Sequence, residues 1–221
     1  SSRYISDDQA CETLLSNLDT KPLGDPKLIK FTTGRRRKQW YKNVVAVGLS
    51  SGFLEPLEST SIHLIQSAIV RLIQLFPHNG FAPTLESEYN KQSELEFEQI
   101  RDFLVLHYNV NERTDSAFFN DMRNITLPDS LAHKIELFKE SGNLLREQND
   151  LFLESSWLQV MYGQGIMPMD YHGLVNSVPE SQLNQMLTRL LDIKKEPITK
   201  LPTHDEYING MVAKYKRSMN S

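Results

Sequence analysis

The sequence predicts an α+β protein that is mostly α-helical, and three observations support this. Apolar residues recur at helical spacing over most of the chain after residue 60, whereas the runs rich in β-branched residues lie before it. Proline or glycine bounds most of the helical stretches, as is common at helix ends. The predicted strands are residues 28–33 and 44–47. Because two strands do not form a stable sheet alone in water, we expect them at the edge of a larger sheet.

The predicted helices begin with residues 6–19, where Ser6 is expected to cap the first turn. The later ones are residues 61–76, 85–108 and 128–141, the last of which stops at Gly142, a helix from Pro179, and a short last helix whose capping box is Thr203-x-x-Glu206. Residues 148–162 form a further apolar segment, ended by Gly163 and Gly165. Residues 61–76 are apolar nearly all round, which predicts burial on most sides. The acidic residues of 85–108 predict a solvated face. The tail from Lys214 is expected to be frayed.

Composition and charge exclude several classes of protein. The chain has 221 residues, of which 39% are hydrophobic and 24% charged, as in a soluble globular protein. A net charge of -4 gives no reason to expect a nucleic-acid partner. The longest apolar stretch, residues 62–76, contains too many polar residues for a membrane span. Cys11 is the single cysteine, so no disulfide framework is expected and the cytoplasm is the expected compartment.

The most informative stretch is residues 43–62, which reads as a buried strand, a loop and the start of a helix. Gly48 and Gly52 allow tight turns and close approach to a ligand. Glu58 follows Pro56 and lies within about one turn of the helix start, where Thr60 or Ser61 could serve as the cap. A helix N-terminus favours an anion, and loops on a rigid scaffold carry functional side chains. The alternative is an ordinary loop in which Glu58 is a solvated capping residue.

Two further readings of local motifs stay open. Gly48-Leu49-Ser50-Ser51-Gly52 fits the Gly-x-Ser-x-Gly elbow of serine hydrolases, although the elbow serine should run straight into a helix. The basic run at residues 35–38 predicts a solvated turn or, as an alternative, contact with a cofactor phosphate. His63 has no second ligand at metal spacing, so we expect a hydrogen-bonded histidine and no metal site.

The segment from Gly48 to Ile62, Gly-Leu-Ser-Ser-Gly-Phe-Leu-Glu-Pro-Leu-Glu-Ser-Thr-Ser-Ile, resembles the signature of flavin-dependent halogenases of the tryptophan halogenase type. The resemblance extends from residue 1 to about residue 175. Its other parts are the start Ser1 to Asp7, Gly34-Arg35-Arg36 with Trp40 and Asn43, His63-Leu64-Ile65-Gln66, Trp157-Leu158-Gln159-Val160, and Gly163-Gln164-Gly165-Ile166.

The resemblance implies roles for particular residues. Glu58 would be the active-site acid or base, and many tryptophan-acting members carry glycine at the position of Ser61. The remaining implied sites are a halide site at Ser59, Thr60 and Ser61, a flavin contact at Gly48, Ser50 and Ile62, and an aromatic substrate wall of Tyr108, Phe118 and Phe119.

The implied activity is chlorination or bromination of an electron-rich aromatic ring such as an indole, through a flavin hydroperoxide and hypohalous acid. The implied cofactor is FAD, reduced by a separate flavin reductase, with chloride or bromide as the halide. An aromatic small molecule is the expected substrate, and a homodimer is left open. The alternatives are a flavin-dependent monooxygenase without a halide step, and a helical interaction module without catalysis.

The resemblance also implies that two parts of the chain have different functions. Residues 1–80 would be the C-terminal part of a flavin-binding module that carries the active-site loop. Residues 81–221 would be the helical substrate-binding region. The glycine-rich loop for the adenosine part of FAD, a Trp-x-Trp-x-Ile-Pro segment and the catalytic lysine of the family have no counterpart in this sequence. We therefore expect the C-terminal half of a longer polypeptide, inactive on its own, whose strands complete a flavin monooxygenase-like sheet.

The resemblance further predicts that free tryptophan is not the substrate. Tryptophan-acting relatives have Tyr-Tyr where His107 and Tyr108 stand, and a glutamate that binds the substrate amino group at the position of Thr114. Phe119 replaces a tryptophan, and Arg123 replaces an asparagine. Loss of a buried polar clamp removes strong discrimination. The alternative is that Glu112 or Asp115 takes the clamp role.

Overall fold

A computed structural model describes residues 2–80, 82–147 and 150–219. It confirms the α+β class and the predominance of helix. The chain divides into two compact units, residues 1–171 and 172–221. The predicted division after residue 80 differs from this one because it separates functional parts rather than compact units. It stays a prediction.

The first unit contains all the strands of the described residues. Its helices are α1 (Asp7–Ser16), α2 (Ser61–Gln74), α3 (Pro83–Asn109), α4 (Ala117–Arg123), α5 (Asp129–Ser141) and α6 (Glu154–Gly163). Its strands are β1 (Gly34–Arg35), β2 (Trp40–Tyr41), β3 (Val44–Val45) and β4 (Gly52–Phe53). Short 3₁₀ turns span Gly48–Ser50 and Pro56–Glu58.

The core forms where α3 packs against α5 and α6. Its fully or nearly buried members are Phe103, Leu106, Leu131, Ile135, Phe138, Trp157 and Met161. The ring of Phe103 stacks on Phe152 with 3.9 Å between centroids and meets Trp157 edge-on at 4.8 Å. Aromatic contacts of this kind add to the free energy of burial. The C-terminal half of α3 is therefore a rigid platform for the side chains that project from its last turn.

A buried polar cluster joins α2 to α3. Arg71 donates to Glu96 at 2.8 Å and to the hydroxyl of Ser93 at 2.7 Å, and Nε2 of His63 lies 3.1 Å from Glu96. The prediction of a hydrogen-bonded His63 is confirmed. The prediction that the acidic residues of α3 form a solvated face is wrong for Glu96, which is 7% exposed. A charge can be buried there because Arg71 neutralises it.

The predicted larger sheet is not seen in the described residues, which form two antiparallel ladders. β1 pairs with β4, and β2 pairs with β3. Residues 28–33, predicted as a strand, have no strand structure. The predicted buried strand 44–47 is reduced to β3, in which Val44 is 63% exposed, because β3 has a strand partner on one side only. The flavin monooxygenase-like sheet therefore stays a prediction.

The basic run is solvated over most of its length, as predicted. Arg36, Arg37 and Lys38 are exposed, although Lys38 lies 3.2 Å from Glu86 and Arg36 donates through Nε to the carbonyl of Ser50 at 2.5 Å. The prediction is wrong for Arg35, which is partly buried because it pairs with Glu94 and, at 3.5 Å, with Glu98 of α3. The alternative of a phosphate contact stays a prediction.

The predicted burial of helix 61–76 is also wrong. Although α2 begins and ends close to the predicted positions, Ile62 is 69% exposed and Ile73 is 70% exposed. One face of α2 packs on α3 through the polar cluster, and nothing among the described residues of the first unit covers the opposite face. Within the described residues, no helix combines the length and apolarity needed to cross a membrane.

Several helix ends were predicted correctly. Ser6 accepts from the backbone N–H of Gln9 at 3.2 Å, and Gly142 ends α5 in the left-handed conformation, as expected of glycine there. Helix α6 covers Glu154–Gly163, the C-terminal part of the predicted apolar segment 148–162, of which residues 148–149 lie outside the described residues.

The second unit consists of a 3₁₀ turn (Gly173–Ser177) and two helices, α7 (Glu180–Lys200) and α8 (His204–Met219). The predicted capping box is confirmed, since Glu206 accepts from the Thr203 backbone N–H at 2.8 Å and donates its own N–H to the Thr203 hydroxyl at 3.3 Å. The last helix is longer than predicted. The expected fraying from Lys214 is wrong up to Met219, and residues 220–221 lie outside the described residues.

Candidate active site

The active-site loop connects β4 to α2 and carries two carboxylates. Glu55 precedes the 3₁₀ turn Pro56–Glu58, so the side chains of Glu55 and Glu58 are three residues apart on a helix with three residues per turn. Ser59 ends the turn in the left-handed conformation with φ 53°, and its N–H donates to the carbonyl of Pro56 at 2.9 Å. Such a backbone is uncommon for a residue other than glycine. The loop therefore holds Glu58 on a defined turn before α2.

The start of α2 has no side-chain cap. Thr60 has helical backbone angles and makes no capping hydrogen bond, so the prediction that Thr60 or Ser61 caps this helix is wrong. The first backbone bond runs from the N–H of Leu64 to the carbonyl of Thr60 at 3.0 Å. The N–H groups before Leu64 remain available, and the helix dipole makes this end partly positive. An anion or a ligand carbonyl would be stabilised here.

Glu58 is paired with a histidine from α3. Nε2 of His107 lies 3.1 Å from Oε1 of Glu58, and the side chains are 21% and 34% exposed, respectively. Nδ1 of the same ring lies 2.8 Å from the carbonyl of Phe103, and the two rings meet edge-on at 4.7 Å. The rigid end of α3 thus fixes one end of the imidazole, and the other end faces the carboxylate.

The neighbouring Tyr108 pairs with the other carboxylate of the loop. Burial, followed by the charge of Glu55 and a hydrogen bond to it, raises the pKa of Tyr108 to about 12. The phenol therefore stays protonated at neutral pH, beside the carboxylate of Glu55. Oε2 of Glu55 is buried and has no hydrogen-bond partner among the described residues. The last turn of α3 and the loop are thus joined by two adjacent contacts, Glu58–His107 and Glu55–Tyr108.

The predicted aromatic wall is assembled in the structure. Tyr108 meets Phe118 at 5.6 Å between ring centroids, and Phe118 meets Phe119 at 5.1 Å, both edge-on. Tyr4, from the start of the chain, contacts Phe118 at 5.3 Å, and its hydroxyl donates to Asp121 at 2.7 Å. Ser116 caps α4 by accepting from the N–H of Phe118, which fixes the start of the helix that carries both phenylalanines.

The loop around Thr114 contains an internal ion pair. Arg113 donates to both oxygens of Asp115, at 3.0 and 2.6 Å, and its guanidinium lies 4.0 Å from the ring centroid of Phe119. These hydrogen bonds hold the pKa of Asp115 below its usual range. Arg123 donates to the carbonyls of Asn111, at 3.2 Å, and of Arg113. The loop before α4 is therefore held by two arginines beside the wall.

The predicted flavin contacts flank the loop in the sequence, since Gly48 and Ser50 lie before β4 and Ile62 lies at the start of α2. Gly48 has φ +67°, a backbone conformation that favours glycine, and Ile62 is 69% exposed beside the uncapped amides of α2. Ser50 is engaged locally, since its hydroxyl donates to the carbonyl of Val47 at 2.8 Å and accepts from the N–H of Val47 at 3.1 Å. The chain then enters β4 rather than a helix, so the serine hydrolase reading is wrong.

The sequence analysis did not predict the contacts Glu58–His107 and Glu55–Tyr108. It named His107 only as a replacement for tyrosine. A signal existed, because Glu55-x-x-Glu58 places two carboxylates one 3₁₀ turn apart, and His107-Tyr108 places two hydrogen-bonding rings side by side at a helix end. Among the described residues, no group of three or more His, Cys, Asp or Glu side chains is arranged to hold a metal ion.

Comparisons with known proteins show the family of the chain. A family model described as tryptophan halogenase matches residues 1–180. Tryptophan 7-halogenase RebH of Lentzea aerocolonigenes is 28% identical over 229 residues, which cover 94% of this chain and 43% of that protein. The solved structure of Xcc4156, a flavin-dependent halogenase from Xanthomonas campestris, is 44% identical with a TM-score of 0.88, covering 95% of this chain and 42% of that one. BrvH, a flavin-dependent halogenase from Brevundimonas sp. BAL3, is 40% identical with a TM-score of 0.86, covering 95% and 43%. The chain spans less than half the length of each of these relatives.

Proposed function

Because the chain belongs to the tryptophan halogenase family, we propose that it serves the flavin-dependent halogenation of an electron-rich aromatic ring, such as an indole. The observation that carries this proposal is the active-site loop, which presents Glu58 next to His107 while the adjacent Tyr108 begins a wall of aromatic rings. In this assignment residues 1–80 contribute to flavin binding and residues 81–221 form the helical substrate-binding region. A separate flavin reductase would supply the reduced cofactor.

The residues beside the loop fit a flavin. Leu49 and Ile62 expose apolar surface, 77% and 69% respectively, suited to a flat aromatic ring. The uncapped N–H groups at the start of α2 can donate to flavin carbonyl oxygens or to a halide held by Ser59, Thr60 and Ser61. When bound as reduced FAD, the cofactor would supply the oxygen chemistry that oxidises chloride or bromide. Gly48 and Ser50 would line the same side.

Glu58 would act on the substrate ring. After a halogen cation equivalent adds to a ring carbon, the C–H bond at that carbon breaks and its electron pair restores aromaticity. The released proton goes to a carboxylate oxygen of Glu58, which is ionised when it serves as the base. The same negative charge stabilises the cationic ring before the proton leaves. Its place on a short rigid turn keeps the carboxylate in position.

The proposed substrate is an indole or phenol without a free amino-acid group. A clamp for an ammonium group needs a carboxylate that is not already neutralised, but both oxygens of Asp115 are bound by Arg113. Glu112 is exposed, and a buried partner is what gives strong discrimination. The aromatic wall remains for the ring itself.

Indole is therefore expected to be brominated faster than tryptophan by the complete polypeptide that the gene encodes, in the presence of reduced FAD, bromide and oxygen. We expect a ratio of kcat/KM of about tenfold or more in favour of indole, the scale of a small loss of pocket contacts. Product formation followed by chromatography measures it. The variant Thr114→Glu, which adds a carboxylate to the loop, should shift the ratio towards tryptophan. Faster turnover of tryptophan by the unmodified enzyme would contradict the proposal, and a hydroxylated product would favour a monooxygenase.

A polypeptide of residues 1–221 alone is expected to bind FAD weakly and to form no halogenated product. The described residues form two ladders of two strands each, and the sequence has no Gly-x-Gly-x-x-Gly fingerprint for a dinucleotide. Titration with FAD, followed by flavin fluorescence, should give a dissociation constant weaker than about 10 μM, little better than non-specific association. Circular dichroism should show helix, as a control for folding. Submicromolar binding would contradict this expectation.

A further inference from the structure

His107 has a defined proton arrangement, because one of its two ring nitrogens faces an obligatory acceptor. Nδ1 lies 2.8 Å from the backbone carbonyl of Phe103. A carbonyl oxygen can only accept, so Nδ1 carries hydrogen. In the neutral ring, Nε2 would then present a lone pair to Oε1 of Glu58, which is 3.1 Å away. A hydrogen bond between these two atoms therefore requires one more proton on the pair.

We propose that His107 is a positioning residue that holds the Glu58 carboxylate through this shared proton. The inference rests on the proposed function and adds a residue to it. Oε1 of Glu58 is held by the imidazole, and Oε2 is left to accept the proton from the substrate ring. Among the residues that the structure describes, His107 is the ion-pair partner of Glu58. The edge-on contact with Phe103 fixes the plane of the imidazole.

The groups around the pair leave Glu58 as the partner that His107 holds. Glu58 faces His107 from the active-site loop, whereas Glu55 of the same loop lies beside Tyr108. On its own helix His107 contacts Phe103, which packs on apolar rings from the side of α6. Without the imidazole, Oε1 of Glu58 loses this contact, so the carboxylate loses its anchor and turnover falls.

Two variants of the complete polypeptide separate positioning from packing. His107→Gln places a neutral N–H donor near the position of Nε2. His107→Phe keeps a ring against Phe103 but has no donor. Bromination of indole is measured as kcat, KM and product per reduced flavin consumed. Thermal unfolding of each variant controls for folding.

We expect His107→Phe to lower kcat and the product yield per flavin by about tenfold, the scale of a hydrogen bond to a charged group, with KM for indole changed by less than about twofold. His107→Gln should keep kcat within about threefold of the unmodified enzyme, because its amide can donate to Oε1 of Glu58. Equal kcat in all three proteins would overturn the proposal. So would a His107→Gln enzyme as slow as His107→Phe, since a donor at this position would then not restore activity.

A failure of the proposed function can be distinguished from a failure of the His107 proposal. Its failure appears as no halogenated product from the unmodified enzyme, or as undiminished product after Glu58→Gln, and either result refutes the His107 proposal as well. If the unmodified enzyme halogenates indole and Glu58→Gln does not, the His107 variants test the positioning role alone.

Discussion

Replacing Glu58 with glutamine is expected to lower halogenated product by about a hundredfold or more in the complete polypeptide, the scale of losing a proton-transfer group. The amide keeps the size of the side chain and can still contact His107, but it cannot accept a proton from the substrate ring. Oxidation of reduced flavin should continue, because the change does not touch the flavin side of the loop. Product formation and flavin oxidation, measured in the same reaction, distinguish the two steps.

The matched control for this change is Glu98→Gln. It removes one negative charge from the outer face of α3, where Glu98 makes a partly exposed ion pair of 3.5 Å with Arg35. Exposed pairs contribute little to stability, so activity should stay within about twofold of the unmodified enzyme. Equal product from the Glu58→Gln enzyme and the unmodified enzyme would remove Glu58 from the mechanism.

Replacing Arg71 with alanine is expected to lower the free energy of unfolding by about 3 kcal/mol. The side chains of Arg71 and Glu96 are 10% and 9% exposed, and their 2.8 Å contact ties α2 to α3. Without the guanidinium, Glu96 is left buried with His63 as its remaining partner. Urea denaturation of the complete polypeptide measures the change. Because α2 follows directly on the active-site loop, loss of activity should accompany loss of stability.

Two controls show whether burial causes this effect. Lys200→Ala breaks an exposed ion pair with Glu196 and should cost less than about 0.5 kcal/mol. The double variant Arg71→Met with Glu96→Leu removes both buried charges, and its free energy of unfolding should return to within about 1 kcal/mol of the original. A double variant no more stable than Arg71→Ala would indicate that the pair contributes more than mutual neutralisation.

The helix ends could be predicted because their signals are local. Ser6, Gly142 and the Thr203–Glu206 box act within four residues along the chain, and the structure places all of them as expected. Burial could not be predicted in the same way. Glu96 looks like one acidic residue among several, and only the approach of Arg71 from another helix makes its burial favourable.

The candidate site could be predicted only in part, because some of its contacts join segments that are far apart in the sequence. The resemblance identified Glu58, Tyr108 and the two phenylalanines, and the structure brings Tyr108 into contact with Phe118. The contact between Glu58 and His107 joins a loop to a distant helix end, so no local pattern contains it. The exposure of Val44 also depends on which strands lie beside it, and composition carries no information about that.

Gly52 determines where this fold tolerates redesign. A Cβ at this position would lie 2.8 Å from the carbonyl oxygen of Gly34, 2.9 Å from Cα of Arg35 and 2.9 Å from the ring of Phe97. Two of these neighbours are backbone atoms that cannot turn aside, so every other amino acid would push β4 away from β1 and α3. A directed-evolution library aimed at new substrates should therefore diversify codons 118 and 119 and leave codon 52 unchanged, because variants at codon 52 would consume screening capacity on misplaced loops.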